Sequence, residues 1–155
     1  TGTDTSVQAP AALDTKFQVL FGSAQATTSV SVDSAGLITF NEAGNYRLVF
    51  NACMIRNVIG GYSNTQFGIF YDSAGGAPTV AASPIRSYSN SSTGGNQPNM
   101  YSEDIIINAA TGSTLVLKIV NDTSLTSDNT TALRSYAGTL GTTPSAAVLI
   151  YKAEQ

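Results

Sequence analysis

The chain has 155 residues, with ten acidic side chains, seven basic ones, a net charge of −3, one Cys and no His. This length predicts a single domain with a sizeable core. A sequence without His excludes a Ser-His-Asp or Cys-His catalytic pair and a His-ligated zinc, haem or copper site. Charged residues make up only 11% of the chain, against about a quarter in a typical domain. We therefore predict a binding or structural protein, not an enzyme, with no catalytic residue, metal or cofactor.

The basic residues occur singly along the chain, at Lys16, Arg47, Arg56, Arg86, Lys118, Arg134 and Lys152. Proteins that bind nucleic acid cluster their Lys and Arg, as do those that bind anionic membranes. No apolar run reaches the roughly 20 residues that a membrane-spanning helix needs. Neither nucleic acid nor a membrane is a predicted partner.

The opening segment is polar and predicts an N-terminal arm over residues 1–14, followed by one domain over 15–155. The start at Thr1 fits removal of an initiator Met or proteolytic processing. The ends of a chain are usually disordered unless they pack against another part of the protein or a partner. We expect the arm to contact a partner protein through Thr1, Gly2, Thr3, Asp4 and Thr5. The alternative is that it packs along its own domain.

Strand patterns follow the arm and dominate the chain. The segment 29–33 alternates polar and apolar residues, which is typical of a half-buried strand. Segments 33–36 and 110–113 each contain a Gly and predict turns. The remaining predicted strands are 16–22, 37–40, 45–55, 66–72, one or two short strands near Val80 and 85–88, and then 100–108, 114–121, 132–137 and 145–152. About eight to ten short strands with no helical periodicity predict an all-β, antiparallel two-sheet sandwich or barrel.

The strand 45–55 has two different faces. Tyr46, Leu48, Phe50 and Ala52 share one face, and Arg47, Val49, Asn51 and Cys53 share the other. The first set is predicted to lie in the core.

The segment from Asp33 to Phe50 combines a Gly turn, a short apolar strand and the pattern Gly44-x-Tyr46-x-Leu48-x-Phe50. It resembles the signature of the tumour necrosis factor and complement globular-head superfamily. The turn into a strand at 110–117 and the terminal strand 147–150 are similar to that family as well. Ile38 and Leu48 stand where the family prefers aromatics, and Ser113 where it has Asp.

The resemblance implies a ten-strand jelly roll that assembles as a tight homotrimer. It further implies that strands 45–53 and 145–152 belong to the inner sheet, which faces the threefold axis. Arg47, Val49 and Tyr151 are then the expected trimer-interface residues. Because burying an unpaired Arg is costly, Arg47 should find an acid or backbone carbonyls.

Two acidic segments are candidates for chemistry. Adjacent strand residues such as Glu103 and Asp104 point to opposite faces, so they cannot flank one glycosidic bond as a catalytic pair. Asp122 and Asp128, with neighbouring Asn residues, make an oxygen-rich segment. This segment is either a calcium-binding or a solvated loop, and it lacks EF-hand spacing.

The segment 86–101 has the Tyr, Ser, Gly and Asn composition of a recognition surface. It is either an exposed connecting loop or a ligand-binding loop. For the second case the expected contact residues are Arg86, Tyr88, Asn90, Asn96 and Tyr101.

The leading hypothesis is a non-enzymatic structural protein on a virion surface, made in the host cytoplasm. It would be a homotrimeric capsid decoration, cement or spike protein of a bacteriophage that contacts the major capsid protein or another virion protein. This link rests on the arm, the start at Thr1 and analogy with the family. The alternative is a carbohydrate- or receptor-binding head of a fibre or spore-coat protein, and a hydrolase is a distant third.

Overall fold

A computed structural model describes residues 2–56, 62–82, 84–91, 98–122 and 131–153. These residues form fifteen β-strands and no helix, and hence contain no helix that could span a membrane. The strands are β1 (Gly2–Asp4), β2 (Phe17–Gln18), β3 (Gln25–Ala26), β4 (Val30–Val32), β5 (Ile38–Phe40), β6 (Gly44–Arg56), β7 (Tyr62–Asp72), β8 (Val80–Ala81), β9 (Arg86–Ser91), β10 (Pro98–Ala109), β11 (Thr114–Asp122), β12 (Thr131–Leu133), β13 (Tyr136–Gly138), β14 (Gly141–Thr143) and β15 (Ala146–Lys152).

The strands form two main sheets, and all their pairings are antiparallel. Sheet I has the order β1-β15-β6-β10, and β12 also pairs with β6. Sheet II has the order β3-β4-β5-β11-β7-β8, with β2 paired to β11 and β9 paired to β7. Strands β13 and β14 form a separate hairpin. The predicted all-β antiparallel sandwich is confirmed, although several strands have only two or three residues and were not predicted individually.

The core lies between the two sheets. Tyr46, Leu48 and Phe50 of β6 are fully buried, as predicted from their shared parity. Leu117 and Ile119 of β11 are among the buried residues of sheet II. Burying each large apolar side chain contributes roughly 1.5–3 kcal/mol to the stability of the fold. The buried side chains of the two sheets therefore hold the sandwich together.

Both predicted Gly turns are present. Gly36 and Gly112 each have φ +82°, a conformation that favours glycine. In the first turn the Asp33 carboxylate accepts a hydrogen bond from the Leu37 backbone N–H at 2.8 Å. These turns lead into β5 and β11, which then pair with each other in sheet II.

The N-terminal segment is built into the domain and does not form a separate arm. Strand β1 pairs with β15, with Gly2 opposite Val148. Gly2 is buried, and a Cβ on it would lie 2.9 Å from the Phe21 carbonyl oxygen. Gly2 therefore has no surface to offer a partner, while Thr3 and Thr5 are exposed. Thr1 lies outside the described residues.

Candidate assembly interface

The outward side chains of sheet I form a grid set by the register of its three long strands. Tyr151 of β15 lies opposite Arg47 of β6, which lies opposite Ile106 of β10. One row further, Val49 lies between Leu149 and Asp104. Directly opposed residues on antiparallel strands point to the same face. The strands that the resemblance assigned to one sheet are therefore neighbours in it.

This outer face is apolar at its centre. Ile106 is 71% exposed, Leu149 43% and Tyr151 40%. Val49 is half-buried between them. Polar residues border the apolar centre at one end, where the Asn108 side-chain amide donates to Asn45 Oδ1 at 2.8 Å. An apolar patch with a polar border is typical of a surface that another protein covers.

An ion pair crosses the apolar centre diagonally. Arg47 Nε donates to Asp104 Oδ1 at 2.9 Å, and Arg47 Nη2 donates to Asp104 Oδ2. The guanidinium carbon of Arg47 lies 5.9 Å from the centre of the Tyr151 ring. The Arg47 hydrogen bond holds the pKa of Asp104 below its usual range, and the carboxylate raises the pKa of Arg47. The predicted need of Arg47 for an acid is thus met within the chain.

The residues predicted for a ligand-binding loop do not form one loop. Residues 86–91 belong to β9 and residues 98–109 to β10. Tyr101 is only 1% exposed and its ring stacks on Phe67 at 4.2 Å, so its prediction as a ligand contact is wrong: its position in β10 points it into the core.

Three other predicted ligand contacts, Arg86, Tyr88 and Asn90, belong to β9. Arg86 is half exposed and pairs with Glu103 at 3.2 Å, which links an edge strand of each sheet. The backbones of Tyr88 and Asn90 lie in β9, opposite Thr65 and Ser63. Asn96 is outside the described residues.

Glu103 and Asp104 point to opposite faces of β10, as predicted: Glu103 pairs with Arg86 and Asp104 with Arg47. The Asn121 side chain is buried and donates to the Thr131 carbonyl oxygen at 3.0 Å.

Within the described ranges, no three Cys, Asp or Glu side chains come close enough to hold a metal ion. Asp128 of the predicted oxygen-rich loop is not among those residues. Burial raises the pKa of the Cys53 thiol.

No protein-family model and no curated protein matches this sequence. Among solved structures, the chain is similar to one described as the structure of Eiger TNF from S. frugiperda. The TM-score is 0.50 and the identity is 9%, over 100% of this chain and 97% of that one. The chain has a tumour-necrosis-factor-like jelly-roll fold. At this identity the likeness concerns the fold alone.

Three residues of the outer face of sheet I were not predicted from the sequence, namely Ile106, Leu149 and Asp104. A signal for two of them was present. The run Ile105-Ile106-Ile107 must point one isoleucine outward, because successive strand residues alternate. The terminal strand is apolar on both parities, which is typical of a strand covered on both faces. Asp104 could be found only with the β6–β10 register in hand.

Proposed function

We propose that the protein is a homotrimer held together by the outer face of sheet I, and that it serves as a non-enzymatic structural protein of a virion surface. The observation that carries the trimer is the exposure of Ile106, Leu149 and Tyr151 on that one face. Removing such apolar surface from water favours association by about 25 cal/mol per Å² of apolar area buried.

The Arg47–Asp104 pair makes this face suitable for burial. A charge buried without a partner costs several kcal/mol. Because both charges are already paired within one chain, association can cover them without leaving either one unsatisfied. The threefold arrangement follows from the resemblance, since proteins of that superfamily assemble as trimers through the corresponding sheet.

The virion role is the finer part of the proposal. It is supported by the low charge content of the sequence and by the analogy with jelly-roll decoration, cement and spike proteins. The partner would be the major capsid protein or another virion protein. Thr3 and Thr5 are exposed on and beside β1, which stands at the end of sheet I, and Asp4 is half-buried. These three are the part of the predicted contact that remains available.

Light scattering of matched variants tests the trimer. Leu149→Glu places a charge in the apolar centre and is expected to give monomers, because the carboxylate would be buried in the interface. Leu140→Glu is the control, since Leu140 is fully exposed at the β13–β14 turn, outside this face. Trimers of Leu149→Glu as stable as those of the unchanged protein would contradict the proposed interface.

Cross-linking mass spectrometry on purified particles tests the virion role. We expect this protein to be a stoichiometric component of the particles, with cross-links from its lysines to a capsid or other virion protein. Its absence from washed, intact particles would refute the virion role while leaving the trimer unaffected.

The alternative, a carbohydrate- or receptor-binding head, has less support in the described residues. Of its predicted contacts, Tyr101 is in the core and Arg86 is engaged with Glu103. It remains a proposal for the part of segment 86–101 that lies beyond the described residues.

A further inference from the structure

The outer face of sheet II, on the opposite side of the sandwich from the proposed interface, carries a recess of about 130 Å³. It lies where β11 and β7 run side by side, with Lys118 opposite Gly68 and Val120 opposite Gln66. Ile85, just before β9, forms one wall. The recess therefore lies outside the face that the proposed trimer interface uses.

The recess exists because position 68 has no side chain. A Cβ on Gly68 would lie 3.0 Å from Phe70 Cε2 and 3.6 Å from Ile85 Cγ1. The glycine backbone thus forms a floor between two apolar side chains. Glycine inside a strand often marks a site where a ligand or another backbone approaches closely.

Two lysines face this recess. Lys118 Nζ lies 5.0 Å and Lys16 Nζ 5.8 Å from the centre of the Phe70 ring. Lys118 Nζ also donates to the Pro78 carbonyl oxygen at 3.4 Å. At the rim, the Asp122 carboxylate accepts a hydrogen bond from Gln66 Nε2 at 2.6 Å.

These lysines differ from other cations of the chain. Arg47, Arg86 and Lys152 each pair with a carboxylate, whereas neither Lys16 nor Lys118 makes an ion pair with any described residue. A mostly apolar recess flanked by two such ammonium groups is complementary to an anion with an apolar body.

We propose that this recess binds a small organic anion, a carboxylate carried on a single apolar ring. The ring would lie over Gly68 against Phe70 and Ile85, and the carboxylate would lie between the ammonium groups of Lys16 and Lys118. The volume suits one ring, since a cavity of about 150 Å³ accommodates benzene. Charge-assisted hydrogen bonds from lysine to a carboxylate would orient the ligand.

The test is an NMR titration of the full chain with benzoate, benzamide and glucuronate as probes. Benzoate is expected to bind with a dissociation constant of about 1 mM or tighter and to shift the amides of Gly68, Lys118 and Val120. Benzamide, which has the same shape without the charge, should bind about tenfold more weakly. Glucuronate, which has a carboxylate on a polyhydroxylated ring, should also bind more weakly.

Variants locate the site. Lys118→Gln and Lys16→Gln should each weaken benzoate binding up to about fivefold, because each removes one exposed ion pair with the carboxylate. Gly68→Ala should abolish it by filling the floor, and its amide spectrum away from the recess shows whether the fold is retained. Lys152→Gln is the matched control, because Lys152 is paired with Glu42 in the unchanged protein, and it should leave binding unchanged.

Four outcomes would overturn the proposal. The first two are benzamide or glucuronate binding as tightly as benzoate, and benzoate shifts confined to residues outside the recess. The others are no shift up to about 50 mM benzoate and an unchanged benzoate affinity in Lys118→Gln.

Discussion

The outer faces of the two sheets both place a cation beside an aromatic ring, yet they are chemically different. On sheet I, Arg47 lies near Tyr151 and is bonded to Asp104. On sheet II, Lys118 lies near Phe70 and has no carboxylate partner among the described residues. The first face has side chains in every row of its grid, while the second is interrupted at Gly68.

This difference indicates what each face can bind. An exposed face with apolar side chains and charges that neutralise each other loses little when a protein surface covers it. A recess whose ammonium groups have no carboxylate partner in the described part of the chain gains most from a small anion that supplies the missing charge. Two sheets of one sandwich thus carry two different kinds of candidate site.

The largest expected effect on stability is at the buried face of β6, and it contrasts with a small effect at the outer face of the same strand. Phe50→Ala removes a fully buried ring that packs 5.8 Å from the Phe21 ring, and should lower the free energy of unfolding by about 3–5 kcal/mol. Val49→Ala, its neighbour on the outer face, should cost less than about 1 kcal/mol in the monomer.

Urea unfolding at one fixed protein concentration measures both variants, because assembly makes apparent stability depend on concentration. The Leu149→Glu background provides the monomeric reference. A Val49→Ala cost that is no larger in the unchanged background than in this reference would argue that the outer face of sheet I is not covered in the assembly.

A smaller effect is expected at Gln8, which connects the N-terminal segment to both halves of the sandwich. Its backbone N–H donates to Leu133 O at 2.9 Å, and its side-chain Oε1 accepts from Leu20 N at 2.7 Å. Gln8→Ala leaves the backbone groups of Leu20 without their partner in a part-buried position, which should cost about 1–3 kcal/mol.

The same urea experiment measures Gln8→Ala. Gln18→Ala is a matched control, because Gln18 makes an exposed hydrogen bond to the Ala35 carbonyl oxygen. Equal costs for the two variants would contradict the importance of Gln8 in joining the sheets.

The smallest effect is a pH dependence specific to sheet I. The folded pKa of Asp104 is lowered by Arg47, and that of Glu42 by Lys152. Each carboxylate therefore contributes stability that is fully present above its unfolded pKa of about 4 and is lost as the pH falls through the lower folded value. Melting temperatures from neutral pH to about pH 2.5 should fall less steeply in Asp104→Asn.

Lys118→Gln is the comparison for sheet II and should keep the acid dependence of the unchanged protein. An Asp104→Asn variant with the full acid dependence would show that the Arg47 pair contributes nothing to it.

Much of this fold follows from local sequence patterns. The alternation along 45–55 assigns the buried face of β6, and the glycines at 36 and 112 assign two turns. Strands β1, β3 and β14 have only two or three residues, so they carry no periodicity and depend on the edges that they pair with. The segment 16–22 was predicted as one strand, but only Phe17–Gln18 within it forms a strand, β2.

The candidate sites depend on register, which the sequence does not show directly. Arg47 and Tyr151 could be placed on one face through the family resemblance, but their acid, Asp104, lies 57 positions along the chain from Arg47. The recess requires Gly68 to stand opposite Lys118 across β7 and β11. Either residue alone has no distinguishing signal in the sequence.

The mass of the unchanged protein in solution tests the central claim most directly. Sedimentation equilibrium at micromolar concentration and neutral pH should give three times the chain mass of 16.0 kDa. A single-chain mass across that concentration range would contradict the assembly role assigned to the outer face of sheet I.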